Sequence, residues 1–149
     1  MSVVIVQATL ADAEEILALQ RISFARFPNY LAPQLQTLQS LQQQIVTQLV
    51  LKGLAGNVII ASVRAHVQDN ACMVERLIVH PDAQRQGLAS KLMTELEQRF
   101  AHIERFRLHT GVENEQSQAL YKKLGFKEYK RAVVGDDSLV YMERAIRHA

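Results

Sequence analysis

Residues 75–91, Glu-Arg-Leu-Ile-Val-His-Pro-Asp-Ala-Gln-Arg-Gln-Gly-Leu-Ala-Ser-Lys, read as a strand, a turn and the opening of a helix. Leu77, Ile78 and Val79 form a short apolar run suited to a strand buried on both faces. Pro81 ends that strand's ladder because it has no N–H to give. From Leu88 the apolar residues fall at Leu88, Leu92 and Leu96, and at Ala89, Met93 and Phe100. That spacing packs one side of a helix onto a sheet. Between strand and helix lies Gln84-Arg85-Gln86-Gly87-Leu88-Ala89. The first N–H groups of a helix have no internal partner and sit at the positive end of its dipole. Gly87 lets an anion come close because no Cβ intervenes, and Arg85 adds a full charge. Residue chemistry therefore predicts an anion site, a phosphate site above all. A single glycine leaves an ordinary strand-to-helix turn open as the plain alternative.

Working outward, Val3–Val6 is a β-branched run and is expected to be the first strand. Thr9 with Asp12 forms a variant capping box opening a helix that carries Ile16, Leu17 and Leu19 to about Ser23. Residues 24–31, with Phe27, Pro28, Asn29 and Tyr30, read as a loop. Leu35, Leu38, Leu41, Ile45 and Leu49 keep helical spacing, which predicts one helix from Pro33 to about Gln48 with glutamines on its exposed side. Gly53 and Gly56-Asn57 mark a turn between a short strand near 49–52 and a longer one at 58–67. Gln68-Asp69-Asn70 turns the chain into a strand at 71–79. Further strands are expected at 106–110, 128–134 and 138–144, the last two a hairpin over Gly135-Asp136-Asp137. Asn114 caps a helix that closes at Gly125. The pattern is a mixed α/β sheet with helices on both faces, in one domain over residues 1–149.

The chain has 149 residues, 48% hydrophobic and 21% charged, and a formal net charge of +2. Such mild charge gives no ground for a nucleic-acid partner. Cys72 is the single cysteine, so no intrachain disulfide can form, and a buried core thiol is expected. No basic-then-apolar leader opens the sequence, and no apolar run reaches the length of a membrane span. A cytoplasmic protein with no membrane or metal requirement is the expectation.

Gln84-x-x-Gly87-x-Ala89 resembles the [Q/R]-x-x-G-x-[G/A] signature of the GNAT acetyltransferase superfamily, whose loop cradles the pyrophosphate of acetyl coenzyme A. Asn114-Glu115-Gln116-Ser117-Gln118-Ala119-Leu120-Tyr121-Lys122-Lys123-Leu124-Gly125-Phe126 is similar to a second family stretch, an asparagine, an alanine, a tyrosine and a closing Gly-Phe, with shorter spacing before the tyrosine. The opening strand and Thr-x-x-Asp helix also look like the family's first unit.

The resemblance implies a centrally splayed mixed sheet of about seven strands. It implies that main-chain groups of Leu77, Ile78 and Val79 hold the pantetheine arm and polarise the thioester. It puts the pyrophosphate on Arg85, Gln86, Gly87, Leu88, Ala89 and Ser90, with Asn114 touching the pantetheine arm. Tyr121 stands where the family's general acid stands; by itself it reads as a tyrosine at a helix–sheet boundary. For the base the candidates are Glu75, sharing strand parity with Leu77 and Val79 unless a bulge intervenes, and His109 on the adjacent strand. Either could instead be structural, one a paired carboxylate and the other a satisfied histidine. His80 reads as a turn residue. Lys122, Lys123, Lys127, Lys130 and Arg131 read as a solvated basic face, with attraction of the cofactor's 3′-phosphate a lesser reading. Phe27, Asn29 and Tyr30 occupy the stretch that lines the acceptor site in relatives.

The expected activity is transfer of the acetyl group of acetyl coenzyme A to a primary amine of a small molecule or protein. A GNAT-fold module that holds coenzyme A for sensing or regulation is the alternative. A homodimer is open, since dimers are common among relatives. The missing G-x-x-x-x-G-K-[ST] argues against a P-loop nucleotide site, the other rival reading.

Overall fold

The computed structural model describes residues 2–25 and 32–146. Strands β1 (Val4–Gln7), β2 (Leu49–Ala55), β3 (Val58–Gln68), β4 (Ala71–Val79), β5 (Arg105–Gly111), β6 (Lys127–Val134) and β7 (Asp137–Ala145) form a seven-stranded sheet in the order β1-β2-β3-β4-β5-β7-β6. All neighbours are antiparallel except β4 and β5. The expected mixed sheet is therefore present.

Helices cover both faces. On one lie α4 (Leu88–Arg99) and α5 (Glu115–Lys123), whose Leu92, Met93, Leu96 and Tyr121 pack with Val63, Ala65, Val74, Phe106, Leu108 and Met142. On the other, α1 (Ala13–Phe24) and α3 (Leu38–Thr47) bring Ile16, Leu17, Leu41 and Ile45 against Val50, Ile59 and Ile78. Strands β2, β3 and β4 thus divide their residues between two cores, as a period of two requires.

Local chemistry sets the element ends. The Thr9 N–H donates to Asp12 Oδ2 at 2.8 Å, the reciprocal arm of the expected capping box. Asp69 and Asn70 both take positive φ, 52° and 62°, in the tight β3–β4 turn, a conformation that short polar side chains tolerate. Helix α5 ends in a Schellman motif: Phe126 N–H donates to Tyr121 C=O at 2.9 Å and Gly125 N–H to Lys122 C=O at 3.0 Å.

The fold departs from the sequence expectation in two elements. The single helix expected over 33–48 is two, α2 (Ala32–Leu35) and α3. Thr37 restarts the chain as an N-cap, its hydroxyl accepting from Ser40 N–H at 3.1 Å, while leucine spacing runs on across the break. Strand β2 runs through Gly53 to Ala55, and the turn is Gly56-Asn57 without Gly53. A Cβ at Gly53 would meet Ala61 Cβ at 3.3 Å and Val3 Cγ1 at 3.4 Å, so that glycine serves close strand packing.

Candidate active site

The parallel pair β4–β5 holds only over Ala71–Arg105, Cys72–Phe106 and Met73–Arg107. Beyond Met73 the strands part, and the β5-facing edge of β4 from Val74 to Val79 has no ladder partner. This is the expected splay. At its open end the chain turns through Pro81–Ala83, with His80 Nδ1 accepting from Asp82 N–H at 3.0 Å, so His80 is a turn residue as expected.

Arg85 and Gly87 then both take positive φ, 65° and 75°, before α4 begins. Left-handed residues in such a turn aim successive N–H groups to one side and make a concavity for anions. The first backbone bond of α4 is Lys91 N–H to Gly87 C=O at 3.0 Å, leaving the N–H groups of Leu88, Ala89 and Ser90 ahead of the ladder. No atom lies within 4 Å of a Cβ built on Gly87, so that position opens onto free space.

A cleft of about 630 Å³ follows the opening between β4 and α5. Its walls include Leu77, Ile78, Val79, Arg85, Gly87, Leu88, Ala89, Ser90 and Asn114, which the sequence had singled out. Gln86 is not among the lining residues. Asn114 is buried and caps α5, its Oδ1 accepting from Ser117 N–H at 3.0 Å. Among the described residues, Lys123 of the basic stretch lines the cleft, and with Arg85 it makes a positive lining without an acidic residue. A pyrophosphate-bearing ligand fits this chemistry: unpaired N–H groups, a glycine opening and two cations along one groove.

Sequence reasoning did not single out Ser23, Ala83, Gln116, Ser117, Leu120 and Leu124 as cleft residues, and reached Lys123 only as a lesser reading of the basic stretch. For those from Gln116 onward, three- and four-residue steps along α5 are the available signal. Gln116 Nε2 also donates to Gln84 Oε1 at 3.2 Å, tying α5 to the loop before α4.

The proposed proton-transfer residues lie off the cleft wall. Tyr121 is buried, with its ring 5.8 Å from Phe126 in edge-on contact, the apolar contact that accompanies a Schellman closure. Glu75 does not share a face with Leu77 and Val79. Pairs Ser62–Ile78 and Arg64–Glu75 leave Val63 opposite both Arg76 and Leu77, a bulge with Arg76 at φ 52°. The extra residue flips parity, so Glu75 joins Arg64 on the α1 face, where its Oε1 lies 3.6 Å from His66 Nδ1. His109 lies on that same face of β5, its ring 5.5 Å from Tyr141. Extending the Met73–Arg107 register brings His109 level with Glu75 across the opening. Burial first, and the charge of Arg76 second, hold the His109 pKa below 6.5. Phe27, Asn29 and Tyr30 lie outside the described residues.

No helix of the described residues is long and apolar enough to cross a membrane, and among them no cluster of His, Cys, Asp and Glu could hold a metal. Cys72 is buried, as expected.

The model of the acetyltransferase (GNAT) family matches residues 14–126. Among solved structures the chain is similar to PaiA N-acetyltransferase of Thermoplasma acidophilum in complex with coenzyme A, at 22% identity and TM-score 0.82, over 97% of this chain and 99% of that one. It is similar to the ribosomal-protein-S18-alanine N-acetyltransferase of Escherichia coli at 21% identity and TM-score 0.78, over 99% and 96% of the two chains. The IAA acetyltransferase of Bacillus cereus aligns at 14% identity and TM-score 0.71, over 97% and 99%. No curated protein matches the sequence. The structural likenesses concern fold, whereas the family match runs from the first helix through the Gly125–Phe126 closure and encloses both motif stretches. By that match the chain belongs to the GNAT family of acetyltransferases.

Proposed function

We propose that this protein is an N-acetyltransferase that moves the acetyl group of acetyl coenzyme A directly to a primary amine. The observation that carries the reading is the parting of β4 from β5 with a left-handed phosphate loop at its open end. Acetyl coenzyme A, when bound, supplies the acetyl thioester. The N–H groups of Leu88, Ala89 and Ser90, with Arg85, would hold its pyrophosphate. The unpaired edge of β4 at Leu77, Ile78 and Val79 offers N–H donors for the pantetheine amides and for the thioester oxygen as it gains charge. Asn114 lines the same cleft.

The amine has to be neutral to attack. His109 is kept unprotonated near pH 7 by burial and by Arg76, so it can accept a proton directly or through water. Glu75, level with it across the opening, is the second candidate. Tyr121 is the candidate to give a proton to the departing sulfur.

Incubation with acetyl coenzyme A and a panel of primary amines, read by free thiol release and by mass of the product, tests the reading. Acetylated amine and stoichiometric thiol are expected. Calorimetric binding of coenzyme A without transfer to any amine would overturn it in favour of a sensor.

A further inference from the structure

We propose that Arg76 binds a carboxylate at the reaction centre, and that the amine acceptor carries this carboxylate close to its reacting nitrogen. The inference rests on the N-acetyltransferase reading and narrows its acceptor class.

Arg76 is the extra residue of the β4 bulge, at φ 52°, where the strand has just left β5. Strained non-glycine residues gather at functional sites, and glycine would make the same bulge without strain. What arginine adds here is a guanidinium. Its Nε is buried with no hydrogen-bond partner. The adjacent carboxylate, Glu75, lies 3.6 Å from His66 Nδ1.

The surroundings hold an excess of positive charge. Arg64, fully buried on β3, is held by the side-chain oxygens of Gln20, Gln36 and Gln44 and not by a carboxylate. Burial first and the charge of Arg76 second push its pKa down to about 9, with Glu75 opposing. Burial and Arg76 act on His109 in the same sense, again with Glu75, and Asp137, opposing. Further out, Lys130 Nζ lies 4.5 Å from the centroid of the Tyr141 ring, which neighbours His109.

A half-buried cation among other cations is costly unless an anion joins it. The phosphate loop lies beyond Pro81, at the far end of β4, so the pyrophosphate does not fill this role. A carboxylate presented with the amine would meet the planar fork of Arg76 in two parallel hydrogen bonds. Polyamines and aminoglycosides would bring only more positive charge. The same carboxylate chemistry could arrive on the acyl chain of a dicarboxylic acyl thioester, which the experiment separates.

Two measurements test the inference. The first is calorimetric binding of N-acetylglycine and N-acetylglycinamide as product probes, which needs no turnover. The wild type should bind the carboxylate at least tenfold more tightly, Arg76→Gln should lose that margin, and Arg76→Lys should keep part of it. Equal binding of both probes to the wild type, or a margin that survives Arg76→Gln, overturns the inference. The second compares kcat/KM for amino acids with that for their amides, using acetyl and succinyl coenzyme A. A carboxylate preference confined to the acyl donor overturns the acceptor assignment. Transfer to neutral amines with no carboxylate preference overturns the inference while leaving acetyl transfer standing. Failure of the acetyl-transfer reading is separately visible as absent thiol release while the probe-binding result stands. Circular dichroism confirms folding of Arg76→Gln, which keeps a non-glycine residue at the same φ.

Discussion

Replacing Gly87 with alanine separates backbone strain from ligand contact. Gly87 sits at φ 75°, where an L side chain costs about 1–2 kcal/mol. Beyond its chain neighbours no atom of the described residues lies within 4 Å of the added Cβ, so no packing term is added there. For a chain of this size, 1 kcal/mol corresponds to roughly 2–4 °C in Tm, so a loss of about 2–8 °C is expected. Gly87 itself lines the cleft, immediately before the N–H groups that open α4. Hydrogen bonds to a charged group contribute about 1.5–3 kcal/mol, so displacing the pyrophosphate by one methyl should weaken coenzyme A binding roughly 10–100-fold. Gly135 supplies the control. It has φ 61° and equally open space at the β6–β7 tip, away from the cleft. Gly135→Ala should lose similar thermal stability and keep full coenzyme A affinity. Calorimetry would refute the phosphate-loop assignment if folded Gly87→Ala bound coenzyme A as the wild type does, or if both variants weakened it equally.

Tyr121→Phe keeps the ring that packs on Phe126 and removes only the hydroxyl, so kcat should fall at least tenfold in a folded protein; unchanged kcat with a good acceptor would leave Tyr121 a purely structural residue. His109, with its pKa held below 6.5 by burial and then by Arg76, stays neutral in the fold after the unfolded chain has taken up its proton. Its share of stability is therefore complete above about pH 6.5 and declines as pH falls from there to the folded-state value. Denaturant titrations of His109→Gln should show a flatter decline below pH 6.5, and an unaltered pH slope would contradict this assignment. If His109 is also the base, the acidic limb of the wild-type pH–rate profile has its midpoint below 6.5 and disappears in the variant. Burial pushes the Cys72 thiol up to about 12, so a thiol reagent should leave the native protein unmodified until it unfolds; rapid labelling of folded protein would count against the packing of that strand.

The features legible in the sequence were those written in short local chemistry. Gly87 before an apolar-periodic helix, Thr9 with Asp12, Asp69-Asn70, Asn114 and Gly125-Phe126 each act on backbone groups within a few residues. Their structural roles follow from residue type and spacing alone. Leucine spacing failed between Leu35 and Leu38 because a cap at Thr37 can restart a helix without changing the apolar period.

The site's handedness and contents were decided at long range. Whether Glu75 faces the side of Leu77 and Val79 or the α1 side depends on one extra residue opposite Val63, and that bulge exists only through pairing with β3. A parity argument carries no information about such an insertion, and one bulge inverts every residue on its far side. The parting of β4 from β5, the face of α5 that lines the cleft and the Arg64–glutamine cluster likewise join residues far apart in the chain. The sequence alone determined the turns, caps and helix ends, because backbone polar groups must be satisfied where they stand. Only the tertiary structure decided which side chains meet at the opening, because register and packing are set by partners that the local chain does not contain.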